Sequence, residues 1–351
     1  MSYLKLISSA VPVTLEPRLW PFWTASTMYG ESVFFMGARG ASSSASLLFV
    51  PERVLSLHDA SRETAFEEGR DFEVRQNEPA LVRLPGSRMP STAPEDVSPL
   101  ICAGNDAFHR RQVEVTYTHA GGWDGPTPLG GGEAVPGTIR RLRAAEPVRV
   151  ALTGDSISEG YNASGFIRVP PYQAAYGALV AAGLEQTYGS PIELHNFAVA
   201  GWTSDHGLAD VERVASVNPQ LVIVAYGMND ASYAEPAELA TNVSALMDQV
   251  RRTSPDAEFV IVSPMLPNPE TDPRVVPRFT AYRDALARLS GRGVALADVT
   301  TLWTHLLSRK TYYDVTGNGL NHPNDFGHRL YAQVILAQLV ERDRLTAAAA
   351  R

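Results

Sequence analysis

A serine follows an apolar run at residues 148–156, in the sequence Val-Arg-Val-Ala-Leu-Thr-Gly-Asp-Ser. The run predicts a strand that passes directly into a Gly-Asp-Ser turn, which would expose the hydroxyl of Ser156. A serine hydroxyl is a weak nucleophile until a base takes its proton and donors stabilise the oxyanion. Ser156 is therefore a candidate nucleophile, provided that the chain also supplies a histidine and oxyanion donors.

Other segments suited to such a site follow other predicted elements. Residues 198–201 (Ala-Val-Ala-Gly) follow the second predicted strand, and residues 227–230 (Gly-Met-Asn-Asp) follow the third. Residues 321–325 (Asn-His-Pro-Asn-Asp) lead into the last predicted helix. Because the carboxyl ends of parallel strands meet at one edge of a sheet, these segments are expected to come together there.

From Val148 onward, buried strands alternate with helical stretches, which predicts a parallel sheet covered on both faces. The predicted strands are Val148 to Thr153, Ile192 to Phe197, Leu221 to Tyr226, Phe259 to Ser263 and Val294 to Asp298. The predicted helices are Tyr172 to Tyr188, Gly207 to Ser216, Pro236 to Thr253, Phe279 to Ser290 and a last one from Asn324 to about Arg342.

Up to about residue 145, short β-like runs are separated by turn residues, which is typical of an antiparallel sandwich or jelly roll. The runs are Ser32 to Met36, Ser46 to Leu57, Asp71 to Arg75, Ala80 to Leu84 and Arg111 to Thr118. Residues 121–137 are rich in Gly and Pro, and the charged residues 138–146 follow them. We therefore predict a small all-β domain at 1–145 and a second domain at 146–351.

The four blocks at residues 154–156, 198–201, 227–230 and 321–325, taken in order, resemble those of the SGNH or GDSL hydrolase superfamily, and the resemblance covers residues 148–342. Its members are serine esterases, lipases, thioesterases and carbohydrate deacetylases. The resemblance implies a flavodoxin-like three-layer α/β/α domain. It also implies that Ser156 is the nucleophile and His322 the general base and later acid. The implied oxyanion donors are the backbone N–H groups of Ser156 and Gly201 and the side-chain amide of Asn229.

The resemblance fails at one position, because the superfamily carries an aspartate three residues before the histidine and this chain has Gly319 there. Three hypotheses remain for the group that orients the imidazole. A backbone carbonyl could accept from the second ring nitrogen, which would leave a Ser-His dyad and is favoured. Asp314 could reach the ring, or Asn318 or Asn321 could orient it.

Competing explanations exist for several of these residues. Ser158 stands where the Gly-x-Ser-x-Gly elbow needs glycine, which argues against an α/β-hydrolase fold. His328 is expected to pack or face solvent within the last helix. His195 and His206 lack a partner at metal-ligand spacing, so neither a metal nor another cofactor is predicted. Asp230 is as well explained as a helix cap as by a role in the site.

Composition limits the partners. The 351 residues carry a net charge of −8, which disfavours nucleic acid and an acidic membrane surface. The single cysteine, Cys102, is expected to serve in packing. The N-terminus lacks the apolar stretch of a secretory signal and no membrane span is evident, which predicts a cytoplasmic protein.

The combined interpretation is a serine ester hydrolase that acts through an acyl-enzyme without a cofactor. The preceding β domain resembles the layout of carbohydrate deacetylases, which favours O-acetyl groups on a saccharide as the substrate. A lipase or a thioesterase is the alternative within the same class. A carbohydrate-binding protein with an inactive hydrolase domain is the alternative outside it, and Gly319 is its best support.

Overall fold

The computed structural model describes residues 16–38, 40–101, 106–128 and 130–341. Cys102 and the N-terminal segment 1–15, for which the sequence predicts packing and no secretory signal, lie outside the described residues.

Strands and helices divide the described residues into a β-rich part followed by an α/β part. The strands are β1 (Thr27–Phe34), β2 (Ser43–Ser46), β3 (Arg53–Asp59), β4 (Phe72–Val74), β5 (Ala80–Arg83), β6 (Gln112–Thr118), β7 (Val148–Gly154), β8 (Ile192–Asn196), β9 (Leu221–Ala225), β10 (Glu258–Val262) and β11 (Val294–Ala297). The α-helices are α1 (Glu16–Leu19), α2 (Pro94–Val97), α3 (Pro136–Arg143), α4 (Ser156–Glu159), α5 (Ser164–Ile167), α6 (Tyr176–Tyr188), α7 (Ser204–Ala209), α8 (Val211–Ala215), α9 (Pro236–Thr253), α10 (Val275–Ala287), α11 (Val299–Leu306), α12 (Tyr312–Val315) and α13 (Asp325–Leu339). Short 3₁₀ helices cover Ser98–Leu100, His109–Arg111 and Asp230–Ser232.

The α/β part contains a five-stranded parallel sheet in the order β11-β10-β9-β7-β8. The chain passes from β7 to β8 on one side and then crosses to β9 on the other, so the strand order reverses at β7. This is the flavodoxin-like order, and ligands of such sheets bind at the carboxyl ends of the strands beside the reversal. The predicted fold class is confirmed.

Alternate side chains of these strands enter two hydrophobic layers. Val150, Leu152 and Ile223 point to the face covered by α6 and α13, whereas Ala151 and Val222 point to the face covered by α8 and α9. A strand buried on both faces needs apolar residues at every position, which explains the unbroken Leu-Val-Ile-Val-Ala of β9.

The N-terminal part consists of two three-stranded antiparallel sheets, ordered β1-β6-β3 and β2-β5-β4. The predicted run from Ser46 to Leu57 is wrong as a single strand, because β2 ends at Ser46 and β3 begins at Arg53. Pro51 in the connection has no N–H to donate to a ladder. The connection is still part of the core, since Leu48 and Phe49 are buried.

Several helix ends differ from the predicted ones. The helix predicted from Tyr172 begins at Tyr176, since Tyr172 has a left-handed φ of 58°. The helix predicted from Gly207 begins at Ser204, where Thr203 forms a capping box, and it is divided in two at Asp210. The first six of the charged residues 138–146 expected at the domain boundary belong to α3, whose buried Ile139 and Leu142 pack toward α6 and β7.

The two parts share one continuous hydrophobic core. Helix α13 lies at its centre, because every residue from Phe326 to Leu339 is buried and the helix packs against both α6 and β1. The boundary at residue 145 stays a prediction, but residues on either side of it contribute to the same buried cluster.

Buried ion pairs connect the β-rich part to the α/β part. Lys310 donates to Glu31 of β1 at 2.8 Å, and both side chains are fully buried. Glu114 of β6 contacts Arg329 of α13 at 3.4 Å and also Arg18 and Arg62. Burial alone would raise the pKa of Glu114, but the three guanidinium groups lower it to about 2, so the carboxylate stays charged.

Replacement of Lys310 by methionine is expected to lower the free energy of unfolding by about 3–5 kcal/mol, because the Glu31 carboxylate loses its buried counter-charge. Urea unfolding followed by circular dichroism measures the change. The control is Arg75→Met, which removes an exposed ion pair with Glu78 and is expected to cost less than about 1 kcal/mol. Equal effects of the two substitutions would contradict the prediction.

Candidate active site

Ser156 lies where β7 ends and α4 begins. Asp155 caps this helix by accepting the N–H of Ile157 at 2.9 Å. The cap turns the chain sharply, so that Ser156 becomes the first residue of α4. Its hydroxyl lies 2.9 Å from Nε2 of His322, which is hydrogen-bond distance.

The glycine before this turn is required by close packing. A Cβ on Gly154 would lie 2.3 Å from Oγ of Ser158 and 2.6 Å from the carbonyl oxygen of Ala225. A side chain at this position would therefore push the nucleophile turn away from β9. This is a physical reason for the glycine of the Gly-Asp-Ser block.

His322 lies in a tight loop before α13. The side-chain Oδ1 of Asn318 accepts the backbone N–H groups of Leu320, Asn321 and His322, each at 3.0 Å. Asn324 then caps α13 by accepting the N–H of Gly327 at 3.0 Å. The imidazole is thereby held on a loop with little freedom, 166 residues from the serine it faces.

Two asparagine side chains face the other ring nitrogen of His322. Nδ1 lies 3.2 Å from Oδ1 of Asn162 and 3.1 Å from Nδ2 of Asn318. Burial lowers the pKa of His322 to about 4, because the charged ring has lost most of its contact with water. At neutral pH the ring is therefore uncharged, as a general base has to be.

The structure places Asp314 away from this ring, so the hypothesis that it orients His322 is wrong. One oxygen of Asp314 accepts the N–H of Phe34 in β1 at 2.6 Å, and the other accepts the N–H and hydroxyl of Thr311 at 2.7 and 2.8 Å. The carboxylate is committed to the junction between the two parts of the chain.

The other proposed orienting groups have different outcomes. Asn321 accepts a hydrogen bond from Asn318 at 2.9 Å, and it is Asn318 that contacts the ring. The favoured dyad required a backbone carbonyl at Nδ1, whereas the contacts of Nδ1 seen in the described chain are with amide side chains. Asn162 is not recognisable from the sequence, because an asparagine six residues after a candidate nucleophile carries no motif.

Gly319 has a physical reason to lack a side chain. Its φ is +69°, and a Cβ there would lie 2.6 Å from Cζ of Phe108 and 3.3 Å from Cγ1 of Ile101. Both residues belong to the β-rich part of the chain. The position at which the superfamily carries aspartate is therefore filled from the N-terminal side.

Two of the three predicted oxyanion donors, Gly201 and Asn229, line one cavity of about 980 Å³ together with Asn321 of the histidine loop. Gly201 has a φ of +82° and is exposed. The side-chain nitrogen of Asn229 donates to the carbonyl of Trp202 at 2.9 Å, which leaves a second N–H for a ligand. Asp230 joins these loops by accepting from the backbone and hydroxyl of Ser204 at 3.0 and 2.5 Å.

The remaining histidines singled out from the sequence have structural partners. His328 is buried in α13 and its Nε2 lies 3.1 Å from the carbonyl of Tyr161. His195 contacts Glu193 at 3.0 Å, and His206 belongs to the capping box of α7. Within residues 16–38, 40–101, 106–128 and 130–341, no group of three or more His, Cys, Asp or Glu residues is placed to hold a metal ion. In the same residues, the helices are all too short or too polar to cross a bilayer.

A serine hydrogen-bonded to an imidazole, beside the carboxyl ends of the strands of a parallel sheet, is the arrangement of a hydrolase that forms a covalent acyl intermediate. The sequence profile of the GDSL-like lipase/acylhydrolase family matches residues 152–330, and the chain belongs to this family. It is by that membership a carboxylic ester hydrolase. No curated protein sequence matches the chain.

The chain is similar to solved structures at low sequence identity. A two-domain esterase named CEX, active on acetylated mannans, is 21% identical, with a TM-score of 0.50 over 64% of this chain and 56% of that one. The match thus spans little more than half the length of CEX. LAE5, an alpha/beta hydrolase enzyme from the metagenome of Lake Arreo in Spain, is 23% identical, with a TM-score of 0.46 over 55% of this chain and 94% of that one. The acetylxylan esterase Axe2 from Geobacillus stearothermophilus, in a catalytic mutant, is 18% identical, with a TM-score of 0.46 over 61% and 96%.

Alanine at Ser156 or at His322 is expected to lower kcat by roughly 10⁴- to 10⁶-fold, since each removes one partner of the proton transfer. The double variant is expected to be no slower than either single one, because the two groups act as a unit. Hydrolysis of p-nitrophenyl acetate by purified variants measures this. Multiplying effects in the double variant would show that the residues act separately.

The pH profile is expected to report the buried imidazole. Since its pKa is about 4, kcat/KM is expected to rise with pH through a midpoint near 4 and to be level by pH 6.5. Below the midpoint the ring holds a proton and cannot accept another. Circular dichroism at each pH shows whether the fold persists. An acid limb centred near 6.5 in a folded enzyme would contradict the prediction.

Proposed function

We propose that the chain is a carbohydrate O-acetylesterase that works through an acyl-enzyme on Ser156. Oγ of Ser156 attacks the acyl carbonyl while its proton passes to Nε2 of His322, 2.9 Å away. The C–O bond to the alcohol then breaks, and the same proton passes to the leaving oxygen. A water molecule, activated by His322, releases acetate and restores the hydroxyl.

The oxyanion in this proposal is bound by the backbone N–H groups of Ser156 and Gly201 and by the amide of Asn229. Gly201 and Asn229 line the same cavity, which supports the assignment. All three donors are neutral, and the amide of Asn229 is held in place by its hydrogen bond to the carbonyl of Trp202. Neutral donors that are already oriented stabilise a charge that develops only in the reaction.

The observation that carries the choice of a saccharide is the aromatic surface beside His322. The ring of Tyr161 lies 5.1 Å from the imidazole and 4.7 Å from the ring of Phe166, and the side chain of Phe166 is 39% exposed. The leaving alcohol must lie beside Nε2 to receive its proton. The exposed ring of Phe166, which packs against Tyr161 beside the imidazole, offers an apolar face on which a sugar ring of the leaving alcohol can stack.

The acetyl group is proposed by analogy with CEX, which shares the fold and is active on acetylated mannans. The net charge of −8 also favours a neutral saccharide over an acidic one.

The acyl preference is tested with p-nitrophenyl acetate, butyrate and octanoate. We expect kcat/KM to be highest for acetate and the enzyme to release acetate from acetylated oligosaccharides. Preference for octanoate would contradict the proposal and favour a lipase or thioesterase instead.

Phe166→Ala is expected to raise KM for an acetylated oligosaccharide by about 2- to 10-fold, which is the effect of losing one aromatic stacking contact. KM for p-nitrophenyl acetate, which carries no sugar ring, should change much less. Leu55→Ala is the control, since Leu55 is a similarly exposed apolar residue on β3. Equal changes for both substrates would argue against a sugar platform at Phe166.

A further inference from the structure

We propose that Asn162 is the positioning residue for His322 and that it selects the reactive tautomer of the ring against the opposite preference of Asn318. The inference rests on the proposed function of Ser156 and His322. It gives the role of the missing aspartate, which is to orient the imidazole, to a neutral side chain.

The orientation of the Asn162 amide follows from its contact with the carbonyl of Gly317. Its Nδ2 donates to the carbonyl of Gly317 at 3.2 Å, and a carbonyl can only accept. The Oδ1 atom is therefore the one that faces Nδ1 of His322, at 3.2 Å. Asn162 is only 7% exposed, and a Cβ added to Gly317 would lie 2.5 Å from the Cβ of Asn162. The side chain is thus held against the histidine loop.

The amide of Asn318 is fixed in the opposite sense. Because its Oδ1 accepts three backbone N–H groups of the loop, its Nδ2 has to face Nδ1 of His322 at 3.1 Å and Oδ1 of Asn321 at 2.9 Å. Nδ1 consequently meets one acceptor, from Asn162, and one donor, from Asn318.

The two contacts favour different tautomers of the neutral ring. When Nδ1 carries the proton, it donates to Asn162, and the lone pair of Nε2 faces the Ser156 hydroxyl. When Nε2 carries the proton, Nδ1 accepts from Asn318, and Nε2 cannot take the serine proton. Only the tautomer bound by Asn162 supports the reaction.

The same arrangement suits the charged ring that forms during the reaction. After Nε2 takes the serine proton, Nδ1–H still donates to Asn162, while the N–H of Asn318 opposes the positive charge. The proton on Nε2 is therefore readily passed to the leaving alcohol, and no carboxylate has to be buried beside the ring. Among the described residues, Tyr161 and the buried His328 are titratable side chains that lie near the imidazole.

An aspartate at position 319, where the superfamily carries one, could not orient His322 in place of Asn162, because Phe108 occupies the space beside Gly319. The β-rich part thus excludes the usual orienting group, and the segment that follows the nucleophile supplies another.

Three variants test the proposal: Asn162→Leu, Asn318→Asp and the two combined. Asn162→Leu is expected to lower kcat on p-nitrophenyl acetate by about 10- to 100-fold with KM within about twofold, because the ring loses its orientation. Asn318→Asp keeps an oxygen for the three N–H groups of the loop and turns the donor at Nδ1 into an acceptor. It is expected to move the acid limb of kcat/KM upward by about one pH unit or more, because a carboxylate beside the ring favours the charged imidazole.

The combined variant is the decisive one. If Asn162 acts by accepting from Nδ1, the aspartate at position 318 takes over that role and restores most of the lost kcat. A packing role for Asn162 would predict no rescue, since leucine still occupies the position. Unchanged kcat in Asn162→Leu, an unmoved acid limb in Asn318→Asp, or no rescue in the folded double variant would each overturn the proposal.

Imidazole ¹⁵N shifts of the whole protein give a second readout that does not depend on activity. The His322 signals are assigned by their loss in His322→Ala. We expect a protonated Nδ1 in the wild type and a shift toward protonated Nε2 in Asn162→Leu. A protonated Nε2 in the wild type would overturn the inference, whereas absence of esterase activity with a protonated Nδ1 would count against the proposed function alone.

Discussion

The hydrogen bond between Ser156 and His322 joins two loops that are 166 residues apart, and the rest of the fold serves to keep its ends in place. One end is fixed by the parallel sheet, since Ser156 follows β7, the strand at which the strand order reverses, and Gly154 allows the turn to rest on β9. The other end has no strand beneath it. It depends on a loop that is tied down by its own asparagine and by contacts from the N-terminal part.

Those contacts give the β-rich part a direct share in the geometry of the site. Phe34 binds Asp314, Gln112 donates to the carbonyls of Tyr313 and Thr316 at 2.7 Å each, and Asn324 donates to Ser32 at 3.0 Å. Each contact falls within residues 313–324, the segment that carries His322. The N-terminal sheets thus act as the support against which the histidine loop is packed.

The sequence predicted the parallel sheet and its strand ends well, because a strand buried on both faces has to be apolar throughout. The pairing of Ser156 with His322 was expected from the resemblance of their blocks to the superfamily, and the fold brings the two side chains to 2.9 Å of each other. Asn162 and the filled space beside Gly319 could not be predicted this way. They depend on contacts between residues such as Asn162 and Gly317, or Phe108 and Gly319, that are far apart in sequence and form only when the whole chain is folded. The same holds for Asp314. It lies near His322 in sequence, which suggested a contact with the ring, but its carboxylate accepts the backbone N–H of Phe34 instead.

Helix α13 differs from the usual outer helix of a three-layer fold, because its whole length from Phe326 to Leu339 is covered. A helix on the outside of such a fold needs a polar face toward water. Here that face has become apolar or is matched by specific partners, such as the pairing of Arg329 with Glu114. In evolutionary terms, the two parts of the chain have to be inherited together. A recombination that joined this α/β part to a different N-terminal segment would expose the apolar face of α13 to water and leave Arg329 without the carboxylate of Glu114. The junction therefore does not permit the exchange of domains by which many multidomain enzymes diversify.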